Sequence, residues 1–287
     1  MIRNRAPRRG FTLIELLMVI SILALLAALT AAGIGRVRNA QMTRTSESTV
    51  QKLQQALKQN LTATLDEATG DKNPYLETVR TQCCEGDKDR AKALLAYAYT
   101  RREFPQTFAE ATSPVVLVSP TGTPVLTFPP HKAFTSVAGK SASDEASVLL
   151  YLIVSEKGNR GMVFANDDAL RGAETTDPSC GLKVYKDAWG IPITFVRWFQ
   201  GNAELQQAPY ANPKSGLNDP FDRMGFNNVA KLRDWPNKGF SQTALGVSFD
   251  GTNKVITAVS AGEDKNMTTP DDNIFGYRLV RFGNRGD

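Results

Sequence analysis

The chain has 287 residues, and its hydrophobic fraction of 41% and charged fraction of 22% are those of a folded protein, which excludes a disordered chain. Four of its 34 basic residues lie among residues 1–10, where there is no acid, and the rest of the chain balances 30 basic against 29 acidic side chains. A basic surface for nucleic acid is therefore not indicated for the body of the protein.

An uncharged segment follows the basic residues. From Leu16 to Gly35 there is no charged side chain, and 20 residues at 1.5 Å per residue cover about 30 Å, the thickness of the hydrocarbon in a bilayer. Because arginines stand directly before this run, we predict a membrane-spanning helix with its N-terminus in the cytoplasm. A cleaved secretory signal is the alternative, since alanine-rich sequence follows. Glu15 lies at the start of the run, where hydrocarbon penalises a charge.

The helical pattern continues beyond this segment. Residues 36–68 contain no proline and no glycine, and apolar side chains recur there every three or four residues, at Val50, Leu53, Leu57, Leu61 and Leu65. Such a stripe predicts an amphipathic helix. We predict one long helix from about Phe11 to Ala68, ended by the sequence GDKNP at 70–74.

Shorter elements are predicted further along the chain. The pattern indicates a helix at 87–103, two strands around a Pro/Gly turn at 115–128, and a helix at 143–158. Strand candidates rich in Val, Ile, Phe and Tyr follow at 182–187, 191–199, 244–250, 254–261 and 275–282. The turn DGTN at 250–253 predicts an antiparallel hairpin between two of them.

This order of elements predicts an α+β fold in which one long N-terminal helix packs on a small antiparallel β-sheet. The predicted parts are a basic leader (1–10), a transmembrane or filament-core helix (11–35) and an α+β domain (36–287). Within that domain, 36–68 is the amphipathic helix, 70–179 a variable region and 180–287 the sheet with a C-terminal loop. The stretch 200–243, rich in Asn, Pro and Gly, is predicted to be a surface excursion.

The three cysteines leave two alternatives open. Outside the cytoplasm, Cys180 could form a disulfide with Cys83 or Cys84 and leave one thiol over, or all three could stay unpaired. Together with the single histidine, His131, they lack the ligand spacing of a zinc site.

The N-terminal sequence RRGFTLIE and the apolar run after it resemble the prepilin processing site of type IV pilins and of the pseudopilins of type II secretion. The resemblance covers about the first 35 residues. It implies that a membrane peptidase cleaves after Gly10 and that the new first residue, Phe11, is N-methylated. Glu15 falls on the glutamate that is the fifth residue of the mature chain in this family.

The resemblance implies a partner for the Glu15 carboxylate. Cleavage would create an ammonium group at Phe11, and in a filament the Glu15 carboxylate of one subunit can neutralise that ammonium on a neighbour. Desolvation offsets much of the attraction, so the pair would set the register while apolar burial holds the subunits together. The alternative is a carboxylate at the membrane edge that is favoured by the helix dipole.

A second motif, KDAWGIPITF at 186–195, resembles the D-x-W-G-x-P turn and strand of the major pseudopilin of type II secretion. Asp187, Trp189, Gly190 and Pro192 match it. We interpret the motif as structural, because glycine frees the backbone for a turn, the indole can pack on the sheet and proline starts an extended stretch.

The segment AVSAGEDKNMTTPDDNI at 258–274 resembles the C-terminal calcium loop of the same subfamily. By position, Asp264, Asp271 and Asp272 fall on its acidic ligands, and the carbonyl of Ala261 falls on a backbone ligand. Several carboxylates in one short loop are ligands that Ca²⁺ prefers. The alternative is a solvated acidic turn, which Lys265 within the cluster favours.

The sequence contains no enzyme signature, so we predict a protein that is not an enzyme. The resemblances imply a structural subunit of a type IV pilus-like filament, above all a type II secretion pseudopilin that assembles into a periplasmic pseudopilus. Its partners would be other filament subunits, the prepilin peptidase, the inner-membrane assembly platform and the membrane. Before assembly it would cross the bacterial inner membrane once, with the leader in the cytoplasm. The alternatives are an adhesive or DNA-uptake pilin and an anchored binding module that does not polymerise.

Overall fold

The structure is a computed structural model that describes residues 12–119, 121–155, 168–198, 255–269 and 271–279. The chain divides into two compact units between Arg44 and Thr45. Helix α1, Leu13–Thr69, contributes to both units. The prediction of one long N-terminal helix is therefore confirmed for the described residues.

The elements after α1 belong to the second unit. In chain order they are α2 (Leu76–Gln82), α3 (Lys88–Glu103), α4 (Phe108–Thr112), β1 (Val115–Val118), β2 (Pro124–Phe128), a 3₁₀ helix (Lys132–Val137), α5 (Glu145–Ser155), α6 (Asp168–Ala173), β3 (Glu174–Thr176), β4 (Lys183–Tyr185), β5 (Thr194–Trp198), β6 (Val255–Ser260), β7 (Ile274–Phe275) and α7 (Gly276–Leu279). Among the described strands, β1 pairs with β2 and β3 with β4, and β5, β6 and β7 form a third sheet in that order. All of these pairs are antiparallel, which confirms the α+β fold class.

Two of the predicted helices begin at acidic caps. The Asp87 side chain accepts bonds from the first N–H groups of α3, and Asp144 Oδ1 does the same for α5, at 3.1 Å from Ala146 N. A carboxylate there satisfies N–H groups that have no partner within the helix. The predictions at 87–103 and 143–158 are thus confirmed as α3 and α5, and the predicted end of the second helix, at residue 158, lies outside the described residues. Helix α2 was not predicted.

The core of the second unit forms on one face of α1. The predicted stripe is buried at Val50, Leu53, Leu57 and Leu65, and Leu61 is half-buried against the same cluster. Helix α5 is almost wholly apolar and lies against β4 and β5. Because both helices bury their apolar side chains in this one cluster, it holds most of the apolar surface that stabilises the unit.

A polar side chain within this face connects α1 to the central strand β6. Gln54 Nε2 donates to the carbonyl of Ile256 at 3.0 Å, and the N–H of Ala258 donates to Gln54 Oε1 at 2.9 Å. The Gln54 amide therefore takes the place that a residue of a neighbouring strand would have beside β6.

The prediction of a strand at 275–282 is wrong in its described part. Strand β7 ends at Phe275, and helix α7 follows at once. Gln54 already occupies the edge of β6 along which a longer β7 would pair, and a Cβ at Gly276 would collide with the Gln54 side chain. Tyr277 turns inward instead, and its N–H donates to Thr257 Oγ1 at 3.0 Å.

Other sequence predictions in this region have mixed outcomes. The strands within 115–128, 182–187, 191–199 and 254–261 are confirmed as β1, β2, β4, β5 and β6. The predicted strand 244–250, the turn 250–253 and the excursion 200–243 lie outside the described residues.

The disulfide alternative is not realised in the structure. Cys83 and Cys84 are buried, Cys180 is half-buried, and all three are free thiols. Burial raises the pKa of the Cys83 and Cys84 thiols above the ordinary value. Both therefore stay protonated and act as small apolar core residues.

Replacing Gln54 tests the connection between α1 and β6. We expect Gln54→Ala to lower the free energy of unfolding by about 2–4 kcal/mol, because it leaves two buried backbone groups without a partner. Chemical denaturation of the detergent-solubilised chain measures this loss. Gln55→Ala, at an exposed position of the same helix, should change stability by no more than about 0.5 kcal/mol; equal losses in both variants would contradict the assignment.

Candidate functional site

The processing residues Gly10 and Phe11 lie outside the described residues, and the structure describes the chain from Thr12 onward. Glu15 caps the beginning of α1. Its Oε2 accepts from the Thr12 N–H at 2.8 Å and from Thr12 Oγ1 at 3.0 Å, and the N–H of Glu15 donates back to Thr12 Oγ1 at 3.3 Å. This reciprocal arrangement is a capping box. In the single chain the Glu15 carboxylate is therefore bound by Thr12.

Large apolar side chains flank Glu15 on both sides in the sequence and are exposed in the single chain. Leu13 is 81% exposed, and the others keep about half or more of their surface open: Ile14, Leu16, Leu17, Met18, Val19, Ile20, Ile22, Leu23, Leu25 and Leu26. Contiguous apolar surface of this extent is characteristic of contact with lipid or with another protein. Within the described residues, no helix is long and apolar enough to cross a bilayer.

The second motif forms a tight turn between β4 and β5 that Asp187 holds together. Asp187 is buried, and its Oδ1 accepts from the N–H groups of Trp189 at 3.0 Å and Ile191 at 2.9 Å. Gly190 adopts φ +86° within the turn, a conformation that favours glycine. Pro192 follows in an isolated bridge opposite Lys186, and the Trp189 ring packs against the core. These contacts agree with a structural role for the motif.

The same turn is bonded to two other parts of the unit. Ser260 Oγ, at the end of β6, donates to Asp187 Oδ2 at 2.7 Å. The N–H of Ala188 donates to Ser46 Oγ on α1 at 3.0 Å. The motif therefore connects α1, the turn and the strand that leads into the C-terminal loop.

The C-terminal loop, residues 261–273, is closed by bonds near its two ends. The N–H of Gly262 donates to Ser260 Oγ at 3.3 Å, and the N–H of Asp264 donates to Asp272 Oδ2 at 2.7 Å. Gly262 has φ +73°, and a Cβ there would collide with the Asp272 carbonyl. Residues 263–269 are all exposed. The loop thus has fixed ends and an open middle.

Of the four predicted calcium ligands, the structure bonds two to each other within the loop. Asp264 binds Asp272 as described, Asp271 is exposed and Ala261 is buried. The hydroxyl of Thr269 and the N–H of Asn266 both donate to the Asp264 carboxylate, and these bonds lower its pKa. The atoms of the four predicted ligands that would bind the ion are all oxygens, which are the ligand atoms that Ca²⁺ prefers. Across the described residues, no group of three or more His, Cys, Asp or Glu side chains is placed to hold a metal ion.

Comparison with known proteins gives one match, at the N-terminus. Residues 5–31 match the family model of the prokaryotic N-terminal methylation motif. This match supports a type IV pilin-like subunit. The motif implies processing by a prepilin peptidase and assembly into a filament in general. No curated protein and no solved structure matches the chain.

Sequence reasoning missed several residues that form these contacts. Thr12 could have been found, because T-x-x-E before an apolar run is the pattern of a capping box. Ser46, Gln54 and Ser260 give no local signal, since their partners lie between 73 and 204 residues away in the chain.

Removing the Asp187 carboxylate should destabilise the second unit. Asp187→Ala leaves the N–H groups of Trp189 and Ile191 and the Ser260 hydroxyl without their acceptor, so we expect a loss of about 2–4 kcal/mol in the free energy of unfolding. Denaturant titration measures it. Asp66→Ala, at an exposed carboxylate of α1, is the control and should change stability by no more than about 0.5 kcal/mol. A loss at Asp187 no larger than at Asp66 would refute the role.

Proposed function

We propose that this chain is a pseudopilin of type II secretion, made as a membrane-inserted precursor, cleaved after Gly10 and assembled through the apolar part of α1. The observation that carries the proposal is the methylation motif at 5–31 together with the exposed apolar side chains that lie within it. Apolar surface gains roughly 25 cal/mol per Å² when it leaves water. Lipid covers these side chains in the precursor, and neighbouring subunits cover them in the filament.

The capping contacts of Glu15 are compatible with a second partner. Thr12 fills two acceptor positions, both on Oε2. A carboxylate can accept about four hydrogen bonds, so Oε1 is left for the ammonium group of a neighbour's Phe11. Glu15 would then keep its own helix start in place while it sets the register of the adjacent subunit.

The turn at 186–192 supports the pseudopilin over an adhesive or DNA-uptake pilin. Its residues Asp187, Trp189, Gly190 and Pro192 follow the pattern of the major pseudopilin, and the carboxylate of Asp187 holds the turn to β6. The nearly balanced charge of residues 11–287 gives DNA no extended basic surface.

Substitution of Glu15 separates a filament subunit from a simple tether. We expect Glu15→Ala to insert in the membrane and to be cleaved normally but to lose assembly, because its carboxylate no longer meets the neighbouring ammonium. Mass spectrometry of the N-terminus reads cleavage and methylation of Phe11, and cross-linking with electron microscopy reads assembly. Asp66→Ala is the carboxylate control and should still assemble.

Two results would count against this function. A wild-type chain that is cleaved but forms no filament would favour a tether, whereas filaments of Glu15→Ala in normal yield would only move the assembly contact to groups other than the Glu15 carboxylate. In a second experiment, Gly10→Ala should leave a precursor that keeps residues 1–10. If mass spectrometry gave that variant the mass of a chain without residues 1–10, cleavage at this position would be contradicted.

We further propose that the loop 261–273 binds Ca²⁺ through Asp264, Asp271, Asp272 and the Ala261 carbonyl. For this, Asp264 would exchange its bonds with Thr269 and Asn266 for the ion, which would link the open middle of the loop to its fixed ends. A bound ion stabilises the folded state by mass action.

Calcium should raise the melting temperature of the chelator-treated chain by several degrees. Asp264→Ala should abolish that rise because it removes a carboxylate ligand, whereas Asp66→Ala should keep it. Thermal unfolding with and without added calcium is the measurement. If added calcium left the melting temperature of the wild-type chain unchanged, the proposal that this loop binds Ca²⁺ would be contradicted. The filament proposal would not be affected.

A further inference from the structure

The acceptor tripeptide for attachment of an oligosaccharide to asparagine, Asn-x-Ser/Thr, occurs twice in the chain. One copy is NLT at 60–62, within α1, and the other is NMT at 266–268, within the loop 261–273. The two copies have the same chemistry but different surroundings in the structure, and so they form an internal comparison.

Asn266 is exposed, and its side chain forms a turn with Thr268. Its Oδ1 accepts from the Thr268 N–H at 3.0 Å and from Thr268 Oγ1 at 2.8 Å. Its backbone N–H donates to Asp264 Oδ1 at 2.8 Å. Within the described part of the chain, the amide nitrogen Nδ2 donates to no protein group. The oxygen is therefore held while the nitrogen is open to solvent.

This arrangement addresses the chemical difficulty of the reaction. An amide nitrogen is a weak nucleophile, because its lone pair is delocalised into the carbonyl group. When Nδ2 loses a proton, negative charge builds on Oδ1. Two donors already aimed at that oxygen stabilise the charge, as they do in an oxyanion hole. The side-chain hydroxyl of Thr268 supplies one of these donors, which gives the third residue of the tripeptide a chemical role.

The copy in α1 lacks this arrangement. Asn60 is half-buried, and its Nδ2 donates to the carbonyl of Ile153 at 3.2 Å. Thr62 Oγ1 donates to the carbonyl of Lys58 at 3.0 Å, one helical turn earlier. In the folded chain the nitrogen is engaged and the hydroxyl is turned away from Asn60, so this copy should not react.

We propose that Asn266 is an acceptor for an oligosaccharide carried on a polyprenyl pyrophosphate. In the transfer, Nδ2 gives one proton to a base of the transferase and forms a bond to the anomeric carbon of the sugar. The bond between that carbon and the pyrophosphate oxygen breaks, and the lipid pyrophosphate leaves with the electron pair. No atom is oxidised or reduced.

The exposed middle of the loop has room for such a group. Residues 263–269 are all exposed, so a bulky hydrophilic sugar there displaces no core side chain. It would cover the tip of the loop, including Met267, which is 41% exposed. The inference rests on the proposed function in one respect, which is that the loop lies outside the cytoplasm, where the transferase acts.

The test uses the full-length chain with a flexible acceptor tripeptide added after Asp287. The chain is expressed in a bacterium that contains an asparagine-linked oligosaccharyltransferase and its lipid-linked oligosaccharide, under conditions in which the added tripeptide is modified. Trypsin places Asn60 and Asn266 in different peptides, and mass spectrometry reads the occupancy of each. We expect the oligosaccharide on Asn266 and its absence from Asn60.

Variants of the two tripeptides test whether the hydrogen bonds between Asn266 and Thr268, and not exposure of Asn266 alone, determine the modification. Asn266→Gln and Thr268→Ala should abolish the modification, Thr268→Ser should retain it, and Thr62→Ala should have no effect. An unmodified Asn266 beside a modified added tripeptide would overturn the inference, and so would full occupancy in Thr268→Ala. The N-terminal peptide of the same sample shows cleavage after Gly10 and methylation of Phe11, so failure of the acceptor site is distinguished from failure of the proposed function.

Discussion

Burial of one face of α1 between residues 46 and 68 is the interaction on which the second unit depends. Apolar burial alone is non-directional, so it does not decide which turn of the helix meets which element. Three polar side chains on α1 decide this. Ser46 binds the turn after β4, Gln54 binds the backbone of β6 and Asn60 binds the end of α5. Because they are partly or wholly buried, a shifted register would leave their partners unpaired at a cost in free energy.

The contact of α1 with β6 has consequences for the C-terminal part of the chain. Gln54 fills the edge of β6, so β7 stays short and the chain turns into α7. Asp187 binds Ser260 at the end of β6, and Ser260 in turn accepts from the first turn of the loop 261–273. The loop is thereby fixed at its ends and open in its middle. A loop whose ends are fixed and whose middle is exposed can bind an ion or carry a covalent group without disturbing the core.

The first unit differs from the second in that its large apolar side chains between Leu13 and Leu26 are exposed in the single chain and not buried in a core. Among the described residues of this unit, the capping box of Thr12 and Glu15 begins the helix. The same carboxylate serves the proposed filament, since capping leaves one of its oxygens unused. Glu15, whose charge conflicts with its apolar surroundings, thus has one role within its own chain and, in the proposed filament, a second between subunits.

The sequence by itself determined the methylation motif, the long helix, its buried stripe at Val50, Leu53 and Leu57, and the α+β class, because these follow from local spacing and composition. It also contained the capping box and both acceptor tripeptides. Only the tertiary structure decided that Gln54 ends β7, that Asp187 joins Ser260, and that Asn266 rather than Asn60 has a free amide nitrogen. The physical reason is that these outcomes depend on hydrogen bonds between groups far apart in the chain, such as the one from Asn60 to Ile153, which the neighbouring sequence does not show.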